Sequence, residues 1–225
     1  MQLYSGTRMS QNWEKEKLVA GLDEAGRGPV FGPMIMCGAL FESGKLDELK
    51  MYGVRDSKLL SPSRRVMLSR EIRRLAVRIE IIEIEPADID RIREVEKINL
   101  NELEAMKFAE IIDSLSPEIA YVDAADPDPS MFESRISKYL TKSPRLVVEN
   151  FADRKYVVVG AASIMAKVRR EERIAELKRK YGDFGSGYPS DPRTVSFLRR
   201  WIEEHGDLPP FARRSWITAK SLLEK

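Results

Sequence analysis

Short runs of apolar residues alternate with amphipathic stretches along this chain of 225 residues. Most runs have the length of buried strands, and the alternating pattern over 77–85 is typical of a strand with one exposed face. The predicted strands are LVAGL (18–22), VFGPMIMCGALF (30–41), VRIEIIEIE (77–85), EIAYVDA (118–124) and PRLVVEN (144–150). Gly32 and Pro33 predict a bulge or bend inside the second run.

Apolar residues at helical spacing predict the remaining elements, most clearly in the segment 159–182. Helices are predicted over 61–76, from Asn101 as cap to about Leu115, around 130–140, over 159–182, around 192–204 and around 213–223. Ser61 and Pro62 are typical of a helix start, and Gly182 of a helix end. Adjacent strands come first and helices separate the later ones, which predicts an α/β fold with a mixed sheet and helices on both faces.

The first seventeen residues are polar, and we expect them to form a loosely ordered N-terminal extension. A main domain is expected over 18–180, with a C-terminal helical region over 181–225 packed on it. The opening segment lacks the apolar centre of a signal peptide. No run approaches the ~18 apolar residues of a membrane span, so a cytoplasmic location is expected.

Charge is distributed unevenly although the net charge is only +2. Residues 160–225 carry 14 Lys and Arg against 9 Asp and Glu, and the remainder carries 24 against 27. A basic third beside an acidic remainder fits a nucleic-acid edge next to a metal site; a solvated helical face fits the charges equally well. Cys37 and His205 are the only cysteine and histidine, which excludes an internal disulfide, a cysteine zinc site and a histidine dyad.

Acidic residues follow three of the predicted strands. Asp23 and Glu24 end the first run, Asp123 ends the run 118–124, and Asp153 follows the run 144–150. Carboxyl ends of strands are where sites form in open α/β sheets, and four converging carboxylates would need divalent cations. Oxygen ligands alone favour Mg²⁺ or Mn²⁺, and two such ions can act together on a phosphodiester.

The pattern alone leaves an alternative open, because a single strand-end Asp is more often a helix cap or a turn residue. Asp126 and Asp128 could equally form turns in this region. The stretch GLDEAGRG also resembles a phosphate-binding loop. However, Arg27 and Gly28 stand where that loop needs Lys and Ser or Thr, so a nucleoside triphosphate site is not expected.

Six segments together resemble type 2 ribonucleases H, the ribonuclease HII family, and in particular its archaeal branch. They are GLDEAGRGPVFGPM, RDSKLLS, YVDAADP, ENFADRKYVVVGAASIMAKVRRE, GDFGSGYPSDPRT and RRSW, from about Leu18 to about Ile217. The resemblance implies an RNase H-like fold: a central five-stranded mixed sheet flanked by helices, with a C-terminal helical extension. It also implies an endoribonuclease with two Mg²⁺ or Mn²⁺ ions. Such an enzyme cleaves the RNA strand of RNA:DNA hybrids and single ribonucleotides in duplex DNA, leaving 5′-phosphate and 3′-hydroxyl ends.

Site residues follow from the resemblance position by position. The four acids of the family's metal site fall on Asp23, Glu24, Asp123 and Asp153, the same four that the strand ends indicate. The substrate-binding positions fall on Gly26, Arg27, Gly28, Lys58, Ser163, Lys167 and Tyr188. Ser163 and Lys167 share one helix face, expected to be free for the phosphodiester backbone. Arg170 lies further along that face and could extend the contact with the phosphodiester backbone, but an ordinary exposed arginine is the favoured interpretation.

Two rival functions remain at this point: a nuclease that cleaves only continuous hybrids, and a nucleic-acid-binding module without activity. The presence of all four acids argues against the second. The C-terminal WITAKSLLEK lacks the paired aromatic residues by which some archaeal members bind a sliding clamp, so clamp binding through the tail is not expected. A monomer is the default expectation.

Overall fold

A computed structural model describes residues 17–54 and 60–224. The strands are β1 Leu18–Ala25, β2 Met34–Glu42, β3 Arg78–Ile84, β4 Ile119–Asp123 and β5 Arg145–Glu149. The helices are α1 Leu46–Met51, α2 Pro62–Leu75, α3 Pro86–Glu94, α4 Leu100–Leu115, α5 Pro129–Tyr139, α6 Ala152–Lys155, α7 Val157–Tyr181, α8 Pro192–His205 and α9 Ile217–Leu223. Lys58 and the predicted extension up to residue 16 lie outside the described residues.

The five strands form one sheet in the order β3-β2-β1-β4-β5. β2 pairs antiparallel with β1 and β3, whereas β4 pairs parallel with β1 and β5. The predicted mixed sheet is therefore confirmed. Gly32 has a φ of +81° just before β2 begins, which confirms the predicted bend.

The structure corrects the predicted start of α4. Asn99 caps this helix, because its side chain accepts a hydrogen bond from the backbone N–H of Glu102 at 2.9 Å. Asn101 lies in the first turn, and its side chain accepts a hydrogen bond from Arg27 instead. Both asparagines have a side chain that can cap a helix. The contact between Asn101 and Arg27 leaves Asn99 as the cap. The short helices α1, α3 and α6 were not predicted.

Helices cover both faces of the sheet. α7 and α2 pack on one face, and α4 and α5 pack on the other. α7 approaches β1 closely at Gly21, where a Cβ atom would lie 2.1 Å from backbone atoms of Val158. Glycine at this position therefore lets the start of α7 lie directly against the strand that carries Asp23 and Glu24.

The C-terminal helices enclose a separate aromatic cluster. Phe31, from the segment before β2, packs at 5.1–5.8 Å between ring centroids against Phe184, Phe197 and Phe211. The C-terminal region is thereby joined to the segment that follows β1. The predicted division of the chain at residue 180 stays a prediction. Across the described ranges, no helix combines the length and the apolar character needed to cross a bilayer.

Candidate active site

The register of the two central parallel strands brings the first pair of acids together. Leu22 of β1 lies opposite Val122 of β4. Asp23 and Asp123 each follow by one residue, so the same register places them side by side on one face of the sheet. Glu24 is one residue further along β1, so its side chain begins on the opposite face.

Asp153 joins this pair from α6, the short helix that follows β5. One carboxylate oxygen from each of Asp23, Asp123 and Asp153 lies within 4.8 Å of the other two. Asp23 and Asp153 are only 4% and 2% exposed. Asp123 Oδ1 accepts a hydrogen bond from the backbone N–H of Ala152 at 2.8 Å, which fixes α6 against the end of β4.

The arrangement fits a divalent cation. Asp153 Oδ1 is buried and has no hydrogen-bond partner among the described residues. A buried carboxylate oxygen without a partner is costly, and a cation would supply one. Because the three ligands are all carboxylates, a hard ion such as Mg²⁺ or Mn²⁺ suits them better than zinc.

The raised pKa values of the acids in and beside the cluster also favour a bound cation. The pKa of Asp23 is raised well above its ordinary value, chiefly by burial and then by the charge of Glu24; Lys167 opposes this shift. The pKa of Glu24 is raised to about 7 by burial and by the nearby charges of Glu104 and Asp123. Without a cation these groups therefore hold protons more tightly than free carboxylic acids do.

Glu24 is half-buried and lies beside Glu104 of α4, a fully buried acid that forms an ion pair with Arg27. Burial raises the pKa of Glu104 to about 7, although Arg27 acts in the opposite direction. The side-chain oxygen of Asn101 accepts a further hydrogen bond from Arg27. The Arg27 guanidinium is thus bound by residues of α4.

The Gly-Arg-Gly turn after β1 is fixed by residues from the C-terminal region. Arg213 is fully buried and donates hydrogen bonds to the carbonyl oxygens of Gly26 and Arg27 at 2.6 and 2.8 Å. Trp216 Nε1 donates to the carbonyl oxygen of Gly28 at 3.0 Å. A carbonyl group and the next N–H point in opposite directions across a trans peptide. The N–H groups of Arg27 and Gly28 therefore point away from Arg213.

One cavity of about 430 Å³ contains the acidic cluster and the turn. The predicted site residues that line it are Asp23, Glu24, Gly26, Arg27, Gly28, Asp123, Asp153, Lys167 and Tyr188. Arg65, Arg170 and Glu171 also line it, and no sequence feature had indicated Arg65 or Glu171 as site residues. Acidic and basic side chains therefore surround the same space.

Two expectations about the face of α7 are wrong. Ser163 is fully buried and is not free for a phosphodiester backbone, because the first half of α7 is enclosed on all sides by the sheet and its neighbours. Its hydroxyl accepts a hydrogen bond from Lys167 Nζ and donates one to Asp23. Arg170 is not an ordinary exposed arginine, since it is partly buried and lines the cavity.

Sequence reasoning missed Glu104 and Arg213. Glu104 is a charged residue on the apolar stripe of α4, four residues before the buried Phe108, and a charge in such a position is a detectable signal. Arg213 belongs to the RRSW segment, but no pattern in the sequence links it to a turn more than 180 residues earlier. Only the fold reveals that contact.

A mixed sheet with a cluster of strand-end carboxylates, set in a partly basic cavity, defines the class of metal-dependent nucleases with an RNase H-like fold. The family model for ribonuclease HII matches residues 20–219, and the chain belongs to this family. It is a type 2 ribonuclease H, with the endonuclease activity of that family. Members of the family need a divalent metal ion, in agreement with the aspartate cluster.

Several similar proteins and structures come from archaea. Ribonuclease HII of Thermofilum pendens is 49% identical over 209 residues, which cover 91% of this chain and 98% of the relative. The crystal structure of ribonuclease H2 from Pyrococcus horikoshii OT3 matches with a TM-score of 0.86 and 43% identity over 92% of this chain and 97% of that one. The structure of the PCNA:RNase HII complex from Archaeoglobus fulgidus matches with a TM-score of 0.83, the same identity and the same coverage.

Proposed function

We propose that this ribonuclease H incises duplex DNA at single ribonucleotides as well as cleaving the RNA strand of RNA:DNA hybrids. The products would carry 5′-phosphate and 3′-hydroxyl ends. One observation carries the proposal: the three aspartates share a cavity with a rigidly held Gly-Arg-Gly turn and with Tyr188. Groups able to hold metal and groups able to recognise one sugar thus lie within the same space.

Two divalent ions, Mg²⁺ or Mn²⁺, would be held by Asp23, Glu24, Asp123 and Asp153. The ions would activate the attacking water and neutralise charge on the leaving oxygen. No imidazole would take part, because the only histidine, His205, stacks on Trp201 and is not among the residues that line the cavity. The acids therefore serve as ligands rather than as partners of a histidine base.

Recognition of the ribonucleotide would rest on the turn. The N–H groups of Arg27 and Gly28 make no hydrogen bond to any described residue. A 2′-hydroxyl can accept such bonds and is the group that distinguishes RNA from DNA. Tyr188 is 40% exposed, so its ring is available to stack on the neighbouring sugar. Lys167 and Lys58 would contact phosphates. Ser163 would orient Lys167 through the hydrogen bond that its hydroxyl accepts from Lys167 Nζ.

The test uses three duplexes in Mg²⁺: DNA with one embedded ribonucleotide, a continuous RNA:DNA hybrid and plain DNA. We expect incision at the single ribonucleotide, cleavage of the hybrid, no cutting of plain DNA, and complete inhibition by EDTA. Cleavage of the hybrid alone would favour a nuclease restricted to continuous hybrids and would contradict the proposal. Cutting of plain DNA would show that the turn does not select for the 2′-hydroxyl.

A further inference from the structure

Arg170 of α7 lies between two backbone segments that border the cavity. A Cβ atom on Gly26 would lie 2.6 Å from Arg170 Nε, and one on Gly187 would lie 3.8 Å from Arg170 Nη2. The guanidinium is therefore packed between the turn after β1 and the loop that carries Tyr188. Both neighbours are glycines, which leave room for it.

The Arg170 guanidinium makes no hydrogen bond or ion pair within the described ranges. Its Nε and Nη2 atoms are buried and make no hydrogen bond there. The adjacent acid, Glu171, is paired with Arg65 instead. A buried guanidinium without a carboxylate is costly, and burial lowers the pKa of Arg170. Such a group is expected to have its partner in a ligand.

Arg170 also supports the ring of Tyr188. Its guanidinium carbon lies 5.4 Å from the centroid of that ring, within the range of a cation–π contact. Tyr188 lines the same cavity. A ligand that meets the Tyr188 ring would therefore also lie close to the guanidinium.

We propose that Arg170 binds one phosphate of the cleaved strand, next to the sugar that Tyr188 contacts, and holds the Tyr188 ring in place for that sugar. The inference rests on the proposed function, which places the strand against Tyr188. A guanidinium is planar and presents two parallel donors, the geometry that suits phosphate oxygens. Arg170 would be a substrate-binding residue of the known reaction, with its missing counter-charge supplied by the nucleic acid.

The test pairs protein variants with substrates in which one phosphate is neutral. Each substrate is a DNA duplex in which one strand contains four consecutive ribonucleotides. In each member of the series, a single methylphosphonate replaces a different phosphodiester linkage of the deoxyribonucleotides that flank this run. Cleavage within the run needs only ribonuclease H activity on hybrids. A failure to incise single ribonucleotides would therefore sink the proposed function without affecting this test.

In the wild-type protein, one methylphosphonate position is expected to lower kcat/KM about tenfold, as loss of a charged hydrogen bond does. Arg170→Met should lower kcat/KM on the unmodified duplex by a similar factor. In this variant, the methylphosphonate at that same position should cause no further decrease of kcat/KM. The matched control is Arg169→Met, since Arg169 is the preceding residue of α7 and pairs with Glu83 and Glu172. This variant should keep the full methylphosphonate effect. If Arg170→Met responds to every position as the wild type does, Arg170 binds no phosphate.

Thermal unfolding separates this role from a structural one. Removing a buried cation that has no hydrogen-bond or ion-pair partner in the described ranges should leave the melting temperature of Arg170→Met equal to or above that of the wild type. A decrease of more than about 5 °C would assign Arg170 a structural role and contradict the proposal. Arg170→Lys keeps the charge without the planar donors, so it should fold normally and retain only part of the methylphosphonate effect. A full wild-type effect in that variant would contradict the two-donor contact.

Discussion

Asp153 and its two neighbouring aspartates illustrate at the residue scale how burial and charge prepare a metal site. Asp153 Oδ1 is buried and has no hydrogen-bond partner in the described part of the chain. Asp23 and Glu24 have raised pKa values because they are buried beside other acids. These features destabilise the protein in the absence of metal and favour cation binding, a common compromise between stability and function.

The raised pKa of Glu24 predicts how stability depends on pH when no metal is present. The pKa rises from 4.5 to about 7 on folding, so the native state binds the proton more tightly. Stability contributed by this group is therefore lost as pH rises from about 4.5 to about 7. In EDTA, Glu24→Gln should raise the free energy of unfolding by up to about 3 kcal/mol at pH 8, and by much less at pH 4.5.

Urea unfolding of both proteins across this pH range checks the prediction. Asp47→Asn is the matched control, because Asp47 is exposed and its hydrogen bond with Lys50 lowers its pKa. That variant should gain no stability at pH 8. A difference between Glu24→Gln and the wild type that stays constant with pH would show that Glu24 titrates normally.

The two glycines of the turn are predicted to respond differently to alanine. Gly26 has a φ of +84°, and its Cβ would lie 2.6 Å from Arg170, so Gly26→Ala should destabilise the fold. At Gly28 a Cβ would meet only Tyr188, at an ordinary 3.6 Å. Gly28→Ala should therefore melt like the wild type but raise KM for the single-ribonucleotide duplex, because the methyl group would stand between the turn and the strand. An unchanged KM would exclude close contact between this backbone and the substrate.

At the scale of elements, the C-terminal segment around Arg213 determines the shape of the turn after β1. Arg213 binds the carbonyl oxygen of Gly32 at 3.0 Å in addition to those of Gly26 and Arg27. It therefore spans both ends of the segment between β1 and β2. The same region carries Tyr188, so one part of the chain positions two of the proposed recognition groups.

Arg213→Lys is predicted to test this contact. A lysine cannot replace the fork of donors, so at least one buried carbonyl would lose its partner. The free energy of unfolding should fall by about 1–3 kcal/mol, and KM for the single-ribonucleotide duplex should rise more than kcat falls. Arg214→Lys is the control, because Arg214 is the adjacent arginine and forms a surface ion pair with Asp207. Equal effects of the two substitutions would contradict the special role of Arg213.

Much of the element pattern could be predicted from the sequence, because apolar runs and periodic stripes follow from local burial. The five strands and the helix α7 are examples. The start of α4 could not be predicted, since Asn99 and Asn101 have the same capping chemistry and only the contact with Arg27 separates them. The face of α7 around Ser163 was misjudged for a similar reason, because periodicity does not show how many neighbours enclose a helix.

The candidate site likewise contains residues that the sequence could predict and residues that it could not. Asp23, Asp123 and Asp153 could be found from strand ends, and the parallel register explains why the first two meet. The partners of the turn could not be found in this way, because Arg213 and Trp216 are distant from it in sequence. Arg170 was recognised as a basic residue of the right helix face, but its burial depends on Gly26 and Gly187, which only the fold brings near.

At the scale of the whole molecule, the cavity lies where the sheet with its acids meets the C-terminal region with its aromatic cluster. The sheet supplies Asp23 and Asp123, and the C-terminal region supplies Tyr188 and the arginine that fixes the turn. The metal-binding half and the recognition half of the proposed mechanism are thus contributed by different parts of the fold.

The central claim is that the aspartate cluster binds divalent metal, and calorimetric titration of the protein with Mn²⁺ tests it most directly. Asp153→Asn removes the charge of the residue whose oxygen is buried without a described partner, and Asp47→Asn removes an exposed charge as the control. We predict that Asp153→Asn weakens Mn²⁺ binding at least about tenfold, while Asp47→Asn binds like the wild type. Undiminished Mn²⁺ binding by Asp153→Asn would contradict the account.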